Sequence, residues 1–106
     1  MATVETHKIL PVEGEIDLHL SPRVARELGE MIKEEPKKLV VDLSKVSYMD
    51  SSGLAVLIDG MRRVEAYGGK LYLVGLQENV RSIFSTSRLD QAFRIFPDIG
   101  AALAAP

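Results

Sequence analysis

The chain has 106 residues and no cysteine, with 46% apolar and 26% charged side chains and a formal net charge of −2. That length and balance fit one soluble domain with a buried core and little stability to spare, and they exclude disulfides, thiolate chemistry and cysteine-ligated metals. Acidic and basic residues are interspersed, unlike the clustered Lys and Arg of a nucleic-acid surface. No run approaches the roughly 18 apolar residues of a membrane span. MATVETHKIL lacks the basic-then-apolar pattern of a signal peptide, so no membrane insertion is expected and the cytoplasm is the default location.

In chain order, Lys8 to Val12 reads as a short strand that leads into a Gly-containing turn at KILPVEGEID. Pro11 has no N–H to give to a ladder, so this strand should lie at an edge or end there. Residues 2 to 6 are a candidate for a further short strand. Ser21-Pro22 signals a helix start, with Ser as N-cap and Pro at the first helical position. Val24, Leu28, Met31 and Ile32 then recur at helical spacing. The helix should reach about Glu34, and Pro36 prevents its continuation.

Lys38 to Leu43, KLVVDL, reads as a buried central strand, followed by SKVSY as a connection. Leu54, Leu57, Ile58, Met61 and Val64 mark one face of a helix over Ser52 to Tyr67, which Gly68-Gly69 stops. Lys70 to Val74 is another strand and Gln77 to Ser85 a third helix, with Val80, Ile83 and Phe84 inward. Phe93 to Phe96 is a last short strand, and Ile99 to Ala104 a closing helix. Strands alternating with helices predict the α/β class: a mainly parallel central sheet of four or so strands with helices packed against it. Such sheets place their sites beyond the carboxyl ends of the strands.

Asp50-Ser51-Ser52-Gly53 stands at such an end, between a central strand and a helix. Its plainest reading is a helix cap, for which both Ser and Asp are strong formers. Two features point further. Several cap-forming residues occur in a row, and Gly53 in the first turn costs helix stability relative to alanine. Glycine there would leave the helix start uncovered, open to a partner's backbone or a phosphate. Free N–H groups and the helix dipole favour negative charge at this end, so a hydroxyl there can be phosphorylated without melting the helix.

The segment VVDLSKVSYMDSSGLAVL, residues 40 to 57, resembles the signature of STAS domains, and in particular of bacterial anti-sigma factor antagonists. GEID at 14 to 17, GGKL at 68 to 71 and VRSIF at 80 to 84 agree with it. The resemblance covers nearly the whole chain and implies a single STAS-like domain. It implies further that Ser51, directly after the aspartate, is a phosphoacceptor, with Ser52 its neighbour and Asp50 presenting the hydroxyl. The implied partners are an anti-sigma factor that is itself an ATP-using serine kinase, and a phosphatase that resets the switch. In this scheme the unphosphorylated antagonist binds the kinase and frees a sigma factor, and it is a substrate rather than an enzyme. Asp17, His19, Ser21, Asp50, Ser51, Ser52 and Gly53 are the expected partner surface, with the exposed side of the following helix. No cofactor is expected, and the chain should be a monomer or weak dimer. The part ahead of GEID looks short for the family, so a first strand may be abbreviated there.

Other chemistries fit less well. A Ser-His-Asp triad through His7 or His19 lacks the G-x-S-x-G elbow, and His19 reads as a solvated turn residue. No ligand cluster has metal-site spacing. Gly68-Gly69-Lys70 lacks the phosphate-loop pattern and follows a helix instead of preceding one. Arg62-Arg63 reads as a solvated surface pair. Asp42 ends a strand, as the acceptor of a receiver domain does, but the acidic pair and later Lys of a receiver are missing. The competing readings are a cytosolic STAS subunit of a phospholipid or anion transporter and an unregulated module in a larger signalling assembly.

Overall fold

In the computed structural model, which describes residues 6–106, strands and helices alternate along the chain. The elements are β1 (His7–Ile16), α1 (Ser21–Ile32), β2 (Lys38–Met49), α2 (Ser51–Ala66), β3 (Lys70–Val74), α3 (Glu78–Thr86), β4 (Arg94–Phe96) and α4 (Ile99–Ala104). A short 3-10 turn at Leu89–Gln91 joins α3 to β4. The four strands form one parallel sheet in the order β1-β2-β3-β4, which matches the expected class.

Side-chain alternation sorts the strand residues between two apolar layers. Leu39, Val41, Leu71 and Leu73 face the main core, where Val24 and Leu28 of α1, Leu57 and Val64 of α2, and Val80 and Phe84 of α3 cover them. Val40, Tyr72 and Val74 face the other way and pack with Ala102 of α4. Three helices therefore lie on one face and α4 on the other. Buried Lys38 sits at the start of β2 and holds α4 in place. Its Nζ donates to the carbonyl of Leu103 at 2.9 Å and to that of Ala105. The Tyr72 hydroxyl donates to the Pro106 oxygen at 2.6 Å.

Several boundaries differ from the sequence reading. β1 does not stop at Val12 but runs to Ile16, paired with β2 on both sides of Val12. It passes Pro11 because β1 is the edge strand among the described residues, so the missing N–H breaks no inner ladder. The register shifts between Pro11 and Glu13 and again between Gly14 and Glu15. Gly14, with φ +97°, lies in this irregular stretch of strand and not in a turn. The further strand expected over residues 2 to 6 lies outside the described residues, except for Thr6, which precedes β1.

The SKVSY segment is no connection: β2 continues through it to Met49. There β2 has outrun β3, which ends opposite Asp42. Side chains at the start of α3 and just ahead of it take over on that side. Gln77 Nε2 donates to the Ser44 carbonyl at 3.0 Å, and Asn79 Nδ2 donates to that of Ser47. Backbone groups that a third strand would have paired are satisfied in this way.

Candidate functional site

Two turns meet at the carboxyl ends of β1 and β2. One is Asp17 to Leu20, entering α1; the other is Asp50 to Gly53, entering α2. They are joined where the Asp50 N–H donates to the Ile16 carbonyl at 3.2 Å. The sequence reading placed both segments on one surface, and the fold brings them together.

In the first turn the cap is Asp17 and not Ser21. Asp17 Oδ1 accepts the N–H groups of His19 at 2.9 Å and Leu20 at 3.1 Å, and its carbonyl accepts that of Ser21 at 2.8 Å. Leu20, just ahead of α1, already has helical dihedrals, so Ser21 lies inside the helix and is only 6% exposed. Asp17 succeeds because the chain enters α1 through an extra turn, which moves the capping position back to it. His19 is exposed in this turn.

In the second turn Asp50 is extended, at φ −112° and ψ −169°, and caps α2. Its Oδ1 accepts the Ser52 N–H at 2.9 Å and the Ser52 hydroxyl at 2.6 Å. The Asp50 carboxyl is held below its ordinary value of 3.8. The main cause is the Ser52 hydroxyl; amides at the helix start act in the same direction, against partial desolvation. Ser51 is the first residue of α2 and is exposed, whereas Ser52 is half-buried.

Gly53 does not leave the helix start open, as the sequence reading expected. It is buried, and a Cβ on it would come within 2.7 Å of Met49 Cγ and 2.8 Å of Ile16 Cγ2. Its lack of a side chain lets α2 settle onto the ends of β1 and β2. Of the seven residues expected to meet a partner, Ser21 and Gly53 are therefore buried, and the outer surface is left to Asp17, His19 and Asp50 to Ser52.

Two apolar residues at this end of the sheet escaped the sequence reading. Leu18 is 75% exposed and Tyr48 is 43% exposed. A signal for Leu18 was present: Leu20, Val24, Leu28 and Ile32 repeat every fourth residue, and Leu18 falls outside that stripe. Beside the turns, a groove of about 220 Å³ runs between α1 and α2 over Ala25, Leu28, Ala55, Val56 and Gly60. A cleft of about 360 Å³ between β1, α1 and β2 has a mixed-charge lining, in which Arg23 is already paired with Glu27 at 2.9 Å. Among the described residues no group of acidic, His or Cys side chains could hold a metal ion. None of their helices is long and apolar enough to cross a membrane.

A family model described as the STAS domain matches residues 1–102. The chain belongs to the STAS family. Similar proteins include the anti-sigma-B factor antagonist of Listeria monocytogenes, 33% identical over 84 residues that make up 79% of this chain and 74% of that one. A candidate sulfate transporter of Bacillus subtilis, YvdB, is 31% identical over 96 residues, spanning 80% of this chain but 18% of the transporter. Among solved structures, an anti-sigma factor antagonist from Mycobacterium paratuberculosis superposes with a TM-score of 0.85 at 26% identity, covering 96% of this chain and 86% of that one.

Proposed function

We propose that this STAS protein is an anti-sigma factor antagonist, a binding module switched by phosphorylation of Ser51 and not an enzyme. Unphosphorylated, it holds an anti-sigma factor serine kinase and so frees a sigma factor; a phosphatase restores it after phosphorylation. The supporting observation is the placement of Ser51: exposed, first in α2, beside a cap that Asp50 supplies without it. A phosphate can be added there while Asp50 continues to hold the helix start. The similarity to anti-sigma-B factor antagonists over most of both chains supports the same reading.

Leu18 and Tyr48 supply the apolar contacts of the partner surface, with Asp17, His19, Asp50 and Ser52 around Ser51. A phosphate on Ser51 adds about two negative charges beside Asp50 and Asp17 and opposes the contact by repulsion and desolvation. With the cognate kinase and ATP, mass spectrometry should map one phosphate to Ser51. Ser51→Ala should bind the kinase whether or not ATP is present. Ser51→Asp should bind at least about tenfold more weakly, a change of about 1.4 kcal/mol. Phosphate mapped to Ser52 in the unmodified protein, or equal binding by both variants, overturns the assignment.

The similarity to YvdB favours a second reading, in which the chain is the cytosolic STAS subunit of an anion transporter. The match is confined to about a fifth of that protein, the extent expected for a shared module. Co-purification with a permease or transport ATPase, and no kinase, would select this second reading.

A further inference from the structure

The turn presents two adjacent hydroxyls, and the structure treats them differently. We propose that the hydrogen bond from Ser52 to Asp50 is a selectivity lock: it withdraws the second hydroxyl from phosphoryl transfer and leaves Ser51 as the sole acceptor. This inference rests on the antagonist reading for its kinase and deepens it by naming what decides the site of modification.

In the transfer the acceptor Oγ forms a bond to the γ-phosphorus of ATP. The bond from that phosphorus to the bridging oxygen breaks, ADP leaves with the electron pair, and the hydroxyl proton passes to a base of the kinase. An acceptor must therefore reach outward and be free to surrender its proton. Ser51 stands exposed at the first position of α2. Ser52 is half-buried, and both its N–H and its hydroxyl are directed to the same oxygen, Asp50 Oδ1, at 2.9 and 2.6 Å. Gly53, the next residue, is buried where even an added Cβ would meet Met49 and Ile16 at 2.7 and 2.8 Å, so α2 starts close against the ends of β1 and β2.

A serine bonded to a carboxylate elsewhere marks an activated nucleophile. Here the carboxylate is a poor base. Its Oδ1 already accepts the Ser52 hydroxyl and the Ser52 N–H, and the hydroxyl first, with the helix-start amides after it, holds the carboxyl below the ordinary value. Ser52 is thus a positioning residue: it completes the cap and stays out of the chemistry.

The test uses the full chain with each purified serine kinase of the anti-sigma class from the source genome, ATP and site mapping by mass spectrometry. Ser51→Ala should take no phosphate above background, although Ser52 remains. Ser51→Ala combined with Asp50→Ala should accept phosphate on Ser52, at least about tenfold above the single variant, because one charged hydrogen bond is lost. In parallel, NMR titration of the Asp50 carboxyl should show its pKa rising in Ser52→Ala and returning in Ser52→Thr, which restores the hydroxyl. A purely steric role for Ser52 would move neither the titration nor its rescue. The lock is overturned if Ser51→Ala is labelled at Ser52, if the double variant is folded and binds the kinase as the single one does yet is equally inert, or if the Asp50 titration ignores Ser52→Ala; if the double variant no longer binds the kinase, the titration decides. If the unmodified protein accepts phosphate from no kinase, the antagonist reading falls, and the titration alone decides whether Ser52 holds the carboxylate. If the double variant loses its helical signal, the titration again decides.

Discussion

At Gly53 two expectations about stability conflict. Helix propensity says that alanine in the first turn of α2 should be an improvement of about 0.5–1 kcal/mol. Packing says the opposite, because the added Cβ meets Met49 and Ile16 at 2.7 and 2.8 Å. Both neighbours are buried and have little room to retreat. Packing is the larger effect, and Gly53→Ala should destabilise by about 1–3 kcal/mol in chemical denaturation; a variant more stable than the original would refute the wedge. The cap next to it imposes a pH dependence. The carboxyl of folded Asp50 titrates below its ordinary value of 3.8. The stability it contributes is therefore fully present above that value and is lost as pH falls through the lowered one. Thermal melts should show Asp50→Asn losing less stability than the original protein on acidification, with the two curves converging at the acid end.

Among the elements, β2 depends most on its neighbours. Its first half, Lys38 to Asp42, has strands on both sides, and its second half pairs only with β1. Asn79 of α3 and Gln77, just ahead of it, close the open side through the carbonyls of Ser47 and Ser44. Replacing both by alanine should cost about 0.5–1.5 kcal/mol for each bond. Amide exchange should rise over Ser44 to Met49 before it rises in Leu39 to Val41. Uniform exchange along β2 would show that β1 alone suffices. Because Asp50 follows Met49 directly, loosening this half should also loosen the Ser51 turn.

Across the whole molecule the two faces of the sheet are unequal. Three helices bury the main face, and α4 alone covers Val40, Tyr72 and Val74 on the other. A helix of six residues has almost no stability of its own. Its hold comes from a small apolar contact and from Lys38 at its carbonyl end, a favourable place for a cation. Lys38→Met keeps the apolar stem and removes the donor. It should destabilise by about 0.5–1.5 kcal/mol, since two part-buried carbonyls lose their donor, and amide exchange should rise first in α4. The Ser51 turn is built from β1, β2 and α2, so kinase binding by this variant should stay within about twofold, the scale of additivity between distant sites.

The order of elements, the central strands KLVVDL and KLYLV, the stripe of α2 and the turn at Asp50 to Gly53 were all legible in the sequence. Each rests on a local signal: a period of two or of 3.6, a breaker, or a cap former. The second half of β2 was not legible, because Ser44, Lys45 and Ser47 look like loop residues until β1 and α3 pair with them. The cap of α1 was misplaced at Ser21, because the turn by which the chain enters α1, and with it the role of Asp17, is not visible in the local sequence. Gly53 looked like an opening toward solvent, and only Ile16, distant in sequence, reveals it as a packing contact. The exposure of Leu18 and Tyr48 and the engagement of Ser52 by Asp50 are likewise properties of the assembled turns. Periodicity determined which segments bury themselves; contacts between segments distant in sequence decided which of two adjacent hydroxyls faces solvent.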